Sequence, residues 1–85
     1  MTDRPLVLEA GFIDGYRALV AEDTVAARRV LTAVKGLVKN PTPEGSVHWG
    51  DSLIYRLHVG DYRVMYFSEP TRASVCVVSL RSIRG

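Results

Sequence analysis

Arg56, His58, Arg63 and Arg81 are the residues of this chain whose types and spacing suit chemistry on an anion. Arginine forks bind phosphate oxygens bidentately and keep their charge at any working pH. Histidine titrates near neutrality and can exchange a proton. Together they suit RNA transesterification, in which a 2′-hydroxyl loses a proton, charge builds on the phosphate and the 5′-oxygen leaves. A histidine serves as base or acid there, and arginines stabilise the developing charge. The same residues also fit a plain anion-binding surface or a solvated sheet face. Of the two histidines, His58 suits the chemistry better than His48, which falls in a turn region next to Trp49.

The element that must position these residues is the stretch from Tyr55 to Tyr66, Tyr-Arg-Leu-His-Val-Gly-Asp-Tyr-Arg-Val-Met-Tyr. Each arm alternates in polarity, and Gly60-Asp61 is a two-residue connection suited to a type II′ turn. That loop length opposes Val59 to Tyr62, Leu57 to Val64 and Tyr55 to Tyr66 on one apolar face. The other face opposes His58 to Arg63, Arg56 to Met65 and Ile54 to Phe67. Basic groups placed opposite one another destabilise a sheet by a few tenths of a kcal/mol or more. A chain that keeps such a cluster has a use for an anion there.

The surrounding elements follow from periodicity. Pro5 to Leu8 reads as a short edge strand. From Gly11 a helical period places Phe12, Tyr16, Leu19 and Val20 on one face. Glu22-Asp23-Thr24 breaks it, and Asp23 or Thr24 caps a second helix. Ala27, Val30, Leu31, Val34, Leu37 and Val38 line that helix, which ends by Asn40-Pro41 because the residue before a proline is steered out of the α region. After the hairpin come the turn at Glu69-Pro70-Thr71-Arg72 and a third strong strand from Ser74 to Leu80. A five-residue connection, Glu69 to Ala73, places Cys76, Val78 and Leu80 on the apolar face and Arg81 on the cationic one with Arg63. One residue more or less reverses that parity. The fold class is therefore α+β: two N-terminal helices packed on one face of a small antiparallel sheet, as one domain over residues 1–85.

Composition agrees with this. The 85 residues are 47% hydrophobic and 24% charged, with a net charge of +2, an ordinary globular balance for one small core. Basic charge is concentrated locally, since Arg72, Arg81 and Arg84 follow Pro70 with no acid after them. No run approaches a membrane span, and no signal-peptide pattern opens the chain. The single cysteine, Cys76, sits in an apolar run and reads as a core thiol, so no disulfide framework exists and a cytoplasmic location is expected. One cysteine and two separated histidines offer no zinc spacing, so no metal or cofactor is expected. Trp49 and Phe67 are the candidates for apolar surface that a partner covers.

The chain resembles the RelE/ParE superfamily of toxins from bacterial type II toxin–antitoxin systems. The resemblance runs from about Asn40 to Leu80. It rests on Asn40-Pro41, Trp49-Gly50, the hairpin with Gly60-Asp61-Tyr62-Arg63 at its centre, and the Val-rich strand from Val75 to Leu80. It implies a toxin neutralised by a cognate antitoxin, and a ribosome-dependent endoribonuclease that cuts mRNA without a metal. The family's two basic strand positions fall on Arg56 and His58, and its Gly-Asp-Tyr-Arg arginine on Arg63. The post-strand arginine falls on Arg81 or Arg84. RNA contacts are thus expected from Arg56, Arg63, Arg81 and Arg84. His58 stands where a Lys or Arg is more usual, and no Tyr follows in Leu80 to Gly85. The resemblance also admits two other functions, inhibition of DNA gyrase as in ParE-like members, and an inactive module that binds only its antitoxin.

Overall fold

The computed structural model describes residues 5–48, 50, 52–68 and 75–83. The element order is β1 (Leu6–Leu8), α1 (Ala10–Glu22), α2 (Thr24–Gly36), β2 (Ser46–His48), β3 (Ile54–Val59), β4 (Tyr62–Phe67) and β5 (Val75–Ser82). The strands form one sheet in the order β1-β5-β4-β3-β2. Three of its pairings are antiparallel, and β1 runs parallel to β5. A parallel neighbour needs a long crossover. Here the whole remaining chain separates β1 from β5, so local pattern cannot reveal the pairing.

The helices arise where the periodicity places them. The Asp23 side chain accepts a hydrogen bond from the Ala26 N–H at 3.1 Å and so caps α2, satisfying one of the donors that a helix start leaves free. Regular helix ends at Gly36, earlier than the proline requires. Short turns carry the chain to Asn40, with the N–H groups of Leu37, Val38 and Lys39 bonded three residues back. The Asn40 side chain then accepts from the Thr42 N–H at 3.1 Å, which sets the bend before β2.

One core lies between the helices and the sheet. Phe12 and Leu19 of α1 and Ala27, Val30 and Val34 of α2 pack with Leu57, Val64, Tyr66, Val75, Val77 and Leu80. Val20, expected on the inner face of α1, is exposed. Helix α1 lies against β5 so closely that a Cβ on Gly11 would sit 2.8 Å from the Val78 carbonyl oxygen, and one on Gly15 2.7 Å from that of Leu80. No side chain fits at either point. Among the described residues, no helix is long and apolar enough to cross a membrane.

Two expectations about β5 and β2 need correction. Met65 pairs with Ser79 but Tyr66 pairs with Val77, so Val78 is passed over in a β-bulge. The extra residue reverses the alternation along the strand. Val75 and Val77 therefore enter the core on one side of the bulge and Leu80 on the other. Cys76 and Val78, expected on the helix face, are only half-buried. Cys76 is paired with Phe67 on the open face and is not a core thiol. His48, expected in a turn, closes the short strand β2 opposite Tyr55. The turn from Glu69 to Ala73, together with Trp49, Arg72, Ser74 and Arg84, lies outside the described residues.

Candidate nucleic-acid interface

The hairpin has the expected register at all six pairs, from Ile54 opposite Phe67 to Val59 opposite Tyr62. Its turn is of the II′ kind. Gly60 has φ +59°, and among the described residues no non-glycine has positive φ, whereas a I′ turn would need both central residues there. Leu57, Val64 and Tyr66 are buried under the helices. The intervening residues necessarily project from the opposite face, which no helix covers.

On that face the pairings assemble a row. His58 of β3 is opposite Arg63 of β4, and Arg63 is opposite Arg81 of β5. With strands about 4.8 Å apart, the three Cα atoms span about 10 Å. The bulge gives this row its third member. Leu80 points inward beside Val64, and Arg81 outward beside Arg63. Arg56 belongs to the next row, between Val47 of β2 and Met65 of β4. His58 and Arg81 are exposed, while Arg56 and Arg63 are half-buried. The Arg63 Nε is buried with no hydrogen-bond partner among the described residues. Arg84 lies outside the described residues, and Arg81 is opposite Arg63 in the sheet.

The face is an open shelf, with depressions beside it. One, walled by Leu57, Ala33 and Pro43, has His58 at its rim. Another, beneath Gly15 and Leu19, has Arg81 at its rim. Among the described residues no three His, Cys, Asp or Glu side chains are grouped to hold a metal ion.

The second histidine has a structural place. A ring nitrogen of His48 donates to the Ser52 carbonyl oxygen. The ring also stacks on Tyr55, with centroids 4.7 Å apart, and Tyr55 stacks on Tyr66 at 5.5 Å. The Tyr66 hydroxyl donates to the Pro41 carbonyl oxygen at 2.6 Å. Burial pushes the Tyr66 phenol up to about 12, against a small lowering from a Ser46 hydrogen bond. This ladder joins β2, β3 and β4 to the end of the α2–β2 turn on the helix side of the sheet, away from the cationic row. Sequence reasoning did not find it, although the opposed pair Tyr55 and Tyr66 was its available sign.

No family model matches the chain, and no curated protein is similar to it in sequence. Its fold, however, recurs in solved toxins. The chain is similar to the RelE–RelB complex of Pyrococcus horikoshii OT3, with TM-score 0.77 and 22% identity over 99% of this chain and 98% of that one. It is similar to a YoeB/ParE toxin of Agrobacterium tumefaciens, with TM-score 0.77 and 16% identity over 92% and 96%. It is also similar to the isolated RelE toxin of E. coli, with TM-score 0.79 and 15% identity over 96% and 86%. Two helices on one face of a mostly antiparallel five-stranded sheet is thus the architecture of the RelE/ParE toxins. This chain has that fold across nearly its whole length, as the Gly-Asp-Tyr-Arg hairpin implied.

Proposed function

We propose that this protein is the toxin of a type II toxin–antitoxin pair and that it cleaves mRNA on the ribosome by metal-independent transesterification. The row of His58, Arg63 and Arg81 carries the reading. In the reaction the 2′-oxygen bonds to the adjacent phosphorus and the bond from phosphorus to the 5′-oxygen breaks. His58 takes the 2′-hydroxyl proton or delivers one to the leaving 5′-oxygen, and solvent water makes the other transfer. Arg63, flanked by His58 and Arg81, stabilises the charge on the phosphate, and Arg56 holds the backbone one row away. An open shelf does not by itself orient a flexible single strand. The ribosome, which holds mRNA in a defined path, supplies the missing wall. The solved complexes of RelE with RelB and of YoeB with YefM support a cognate antitoxin as the second partner.

The test is translation in vitro with mapping of mRNA ends. Cuts that require both ribosomes and the protein, and that disappear with Arg63→Ala, are the expected result. Intact mRNA alongside DNA damage in expressing cells would replace this reading with gyrase inhibition. Intact mRNA without toxicity would leave a module that binds only its antitoxin.

A further inference from the structure

The open face of the sheet is graded along its strands. Next to the cationic row of His58, Arg63 and Arg81 lies a second row, in which Met65 of β4 is flanked by Arg56 of β3 and Ser79 of β5. Beyond it lies a third, formed by Val7 of β1, Cys76 of β5, Phe67 of β4 and Ile54 of β3. That third row is apolar throughout, and Met65 beside it is half-buried.

Charge follows the same grading. None of the five strands contains an aspartate or glutamate, although the chain has nine acidic residues. The three arginines of the strands, Arg56, Arg63 and Arg81, all belong to the open face. The sheet therefore presents cations at one end of this face and apolar surface at the other, with no strand acid between them.

A ligand that matches this grading carries anions along one edge and flat apolar surface one row away. Single-stranded nucleic acid does so, since its phosphates follow one side and every base offers a π-face. Neighbouring rows are two residues apart on a strand, about 6.7 Å, comparable with the reach from a phosphate across its sugar to the base. The direction of the nucleic acid also follows. A backbone running along β4 would carry its phosphates onto Phe67 and the apolar row, where their desolvation is uncompensated. A backbone crossing the strands over Arg81, Arg63 and His58 keeps its phosphates on the cationic row and turns its bases toward the second row.

We propose that Met65 is the platform on which the nucleobase of the nucleotide held at Arg63 stacks. A thioether is polarisable and makes favourable contacts with aromatic rings. It offers no strong donor or acceptor that would distinguish one base edge from another, so the seat accepts any base and fails only when the base is missing. With the phosphate on Arg63 and the base on Met65, the sugar between them is fixed at two points, which orients its 2′-hydroxyl on the shelf. The assignment rests on the reading that the cationic row binds an RNA phosphate, but not on cleavage.

The probe is a 2′-O-methyl triadenylate, which the proposed reaction cannot cleave, compared with a fully abasic chain bearing the same phosphates. The chain has two methionines, Met1 and Met65, so methyl labelling of methionine gives two resonances, assigned with Met65→Ala. Triadenylate should move the Met65 methyl resonance upfield, as a ring stacked over it does, and the abasic chain should not. By fluorescence anisotropy, Met65→Ala should weaken triadenylate binding about 2- to 10-fold and leave the abasic chain unaffected. Met65→Phe should restore or exceed the wild-type affinity, since an aromatic ring is a better stacking partner. Arg63→Ala should weaken both ligands alike, with circular dichroism as the folding control. An unmoved Met65 methyl, no binding at millimolar concentration, or equal loss of both ligands in Met65→Ala would overturn the proposal. A Met65 shift produced by an acidic, leucine-bearing peptide and not by triadenylate would assign the seat to a protein partner instead. Cleavage of ribosome-bound mRNA, measured separately, keeps the two readings apart. A base-dependent methyl shift without cleavage removes the ribonuclease and keeps the seat, and cleavage without the shift does the reverse.

Discussion

The two faces of the β3–β4 hairpin are made by the same twelve residue positions taken alternately, yet they are governed by different physics. On the helix side Leu57, Val64 and Tyr66 are 5% exposed or less and contribute through burial and packing. On the open side His58 stands opposite Arg63, and basic groups so placed cost a sheet stability rather than adding to it. Adjacent residues along the strand thus answer to separate demands, one to folding and the next, on the proposed function, to chemistry. Substitutions on one face should change stability and leave the open-face chemistry intact, and those on the other should do the opposite.

The largest effect is expected at Tyr66. It is fully buried and central to the aromatic ladder, so Tyr66→Ala should cost about 3–5 kcal/mol of stability. Urea unfolding would show this, and an unchanged midpoint would break the comparison at its core side. His58→Ala should lower single-turnover cleavage of ribosome-bound mRNA by about 10²–10⁴-fold and flatten its pH dependence near neutrality, with the urea midpoint unaltered. Full activity in this variant would remove His58 as acid or base. Arg63→Ala should lower the same rate by about 10²–10³-fold, as loss of a preorganised charge donor does. Arg63→Lys should recover only part of that, because a point charge does not reproduce the guanidinium fork.

Gly15→Ala should have a smaller effect that crosses between the faces. Its methyl would meet the Leu80 carbonyl oxygen at 2.7 Å, so α1 or β5 must move, at a cost of about 1–3 kcal/mol. Arg81 follows Leu80 directly, and cleavage should fall along with stability. The smallest effect concerns alkali. Tyr66 is held protonated in the folded state up to about 12, against 10.0 for an ordinary tyrosine. Between those values the unfolded chain releases a proton that the folded one keeps, so the folded-state proton stabilises below about pH 10 and that contribution is lost as pH rises toward 12. Tyr66→Phe should cost about 1 kcal/mol at neutral pH for the bond to Pro41. It should also flatten this alkaline decline, as read from denaturation at stepped pH.

Much of this was legible in the sequence, for local reasons. A two-residue turn with alternation on both arms determines all six hairpin pairs, and hence which side carries the arginines. Helix α2 was legible because Asp23 and the stripe from Ala27 to Leu37 agree on its start and its buried face. The cationic row was legible as far as His58 and Arg63. What escaped depends on distant or featureless signals. In Val75-Cys-Val-Val-Ser-Leu80 residues of both parities are apolar, so nothing announces a bulge at Val78. Arg81 reached its expected place although the parity assumed for Cys76 and Val78 did not hold. Strand β2 is three residues long, too short for alternation to register.

The bulge at Val78 has a consequence for how such chains diverge. It divides β5 into two independently phased segments. Val75 to Val77 takes its phase from β1 and the end of β4, and Leu80 to Ser82 takes its phase from Val64 and Arg63. A gain or loss of a residue in the connection before β5 can therefore be absorbed upstream of the slip without rotating Arg81 off its face. Gapless comparison of related sequences along this strand would pair inward residues with outward ones. The arginine of one protein would then be matched to a core leucine of another, and the loss of an open-face basic group would be inferred where only its phase had moved.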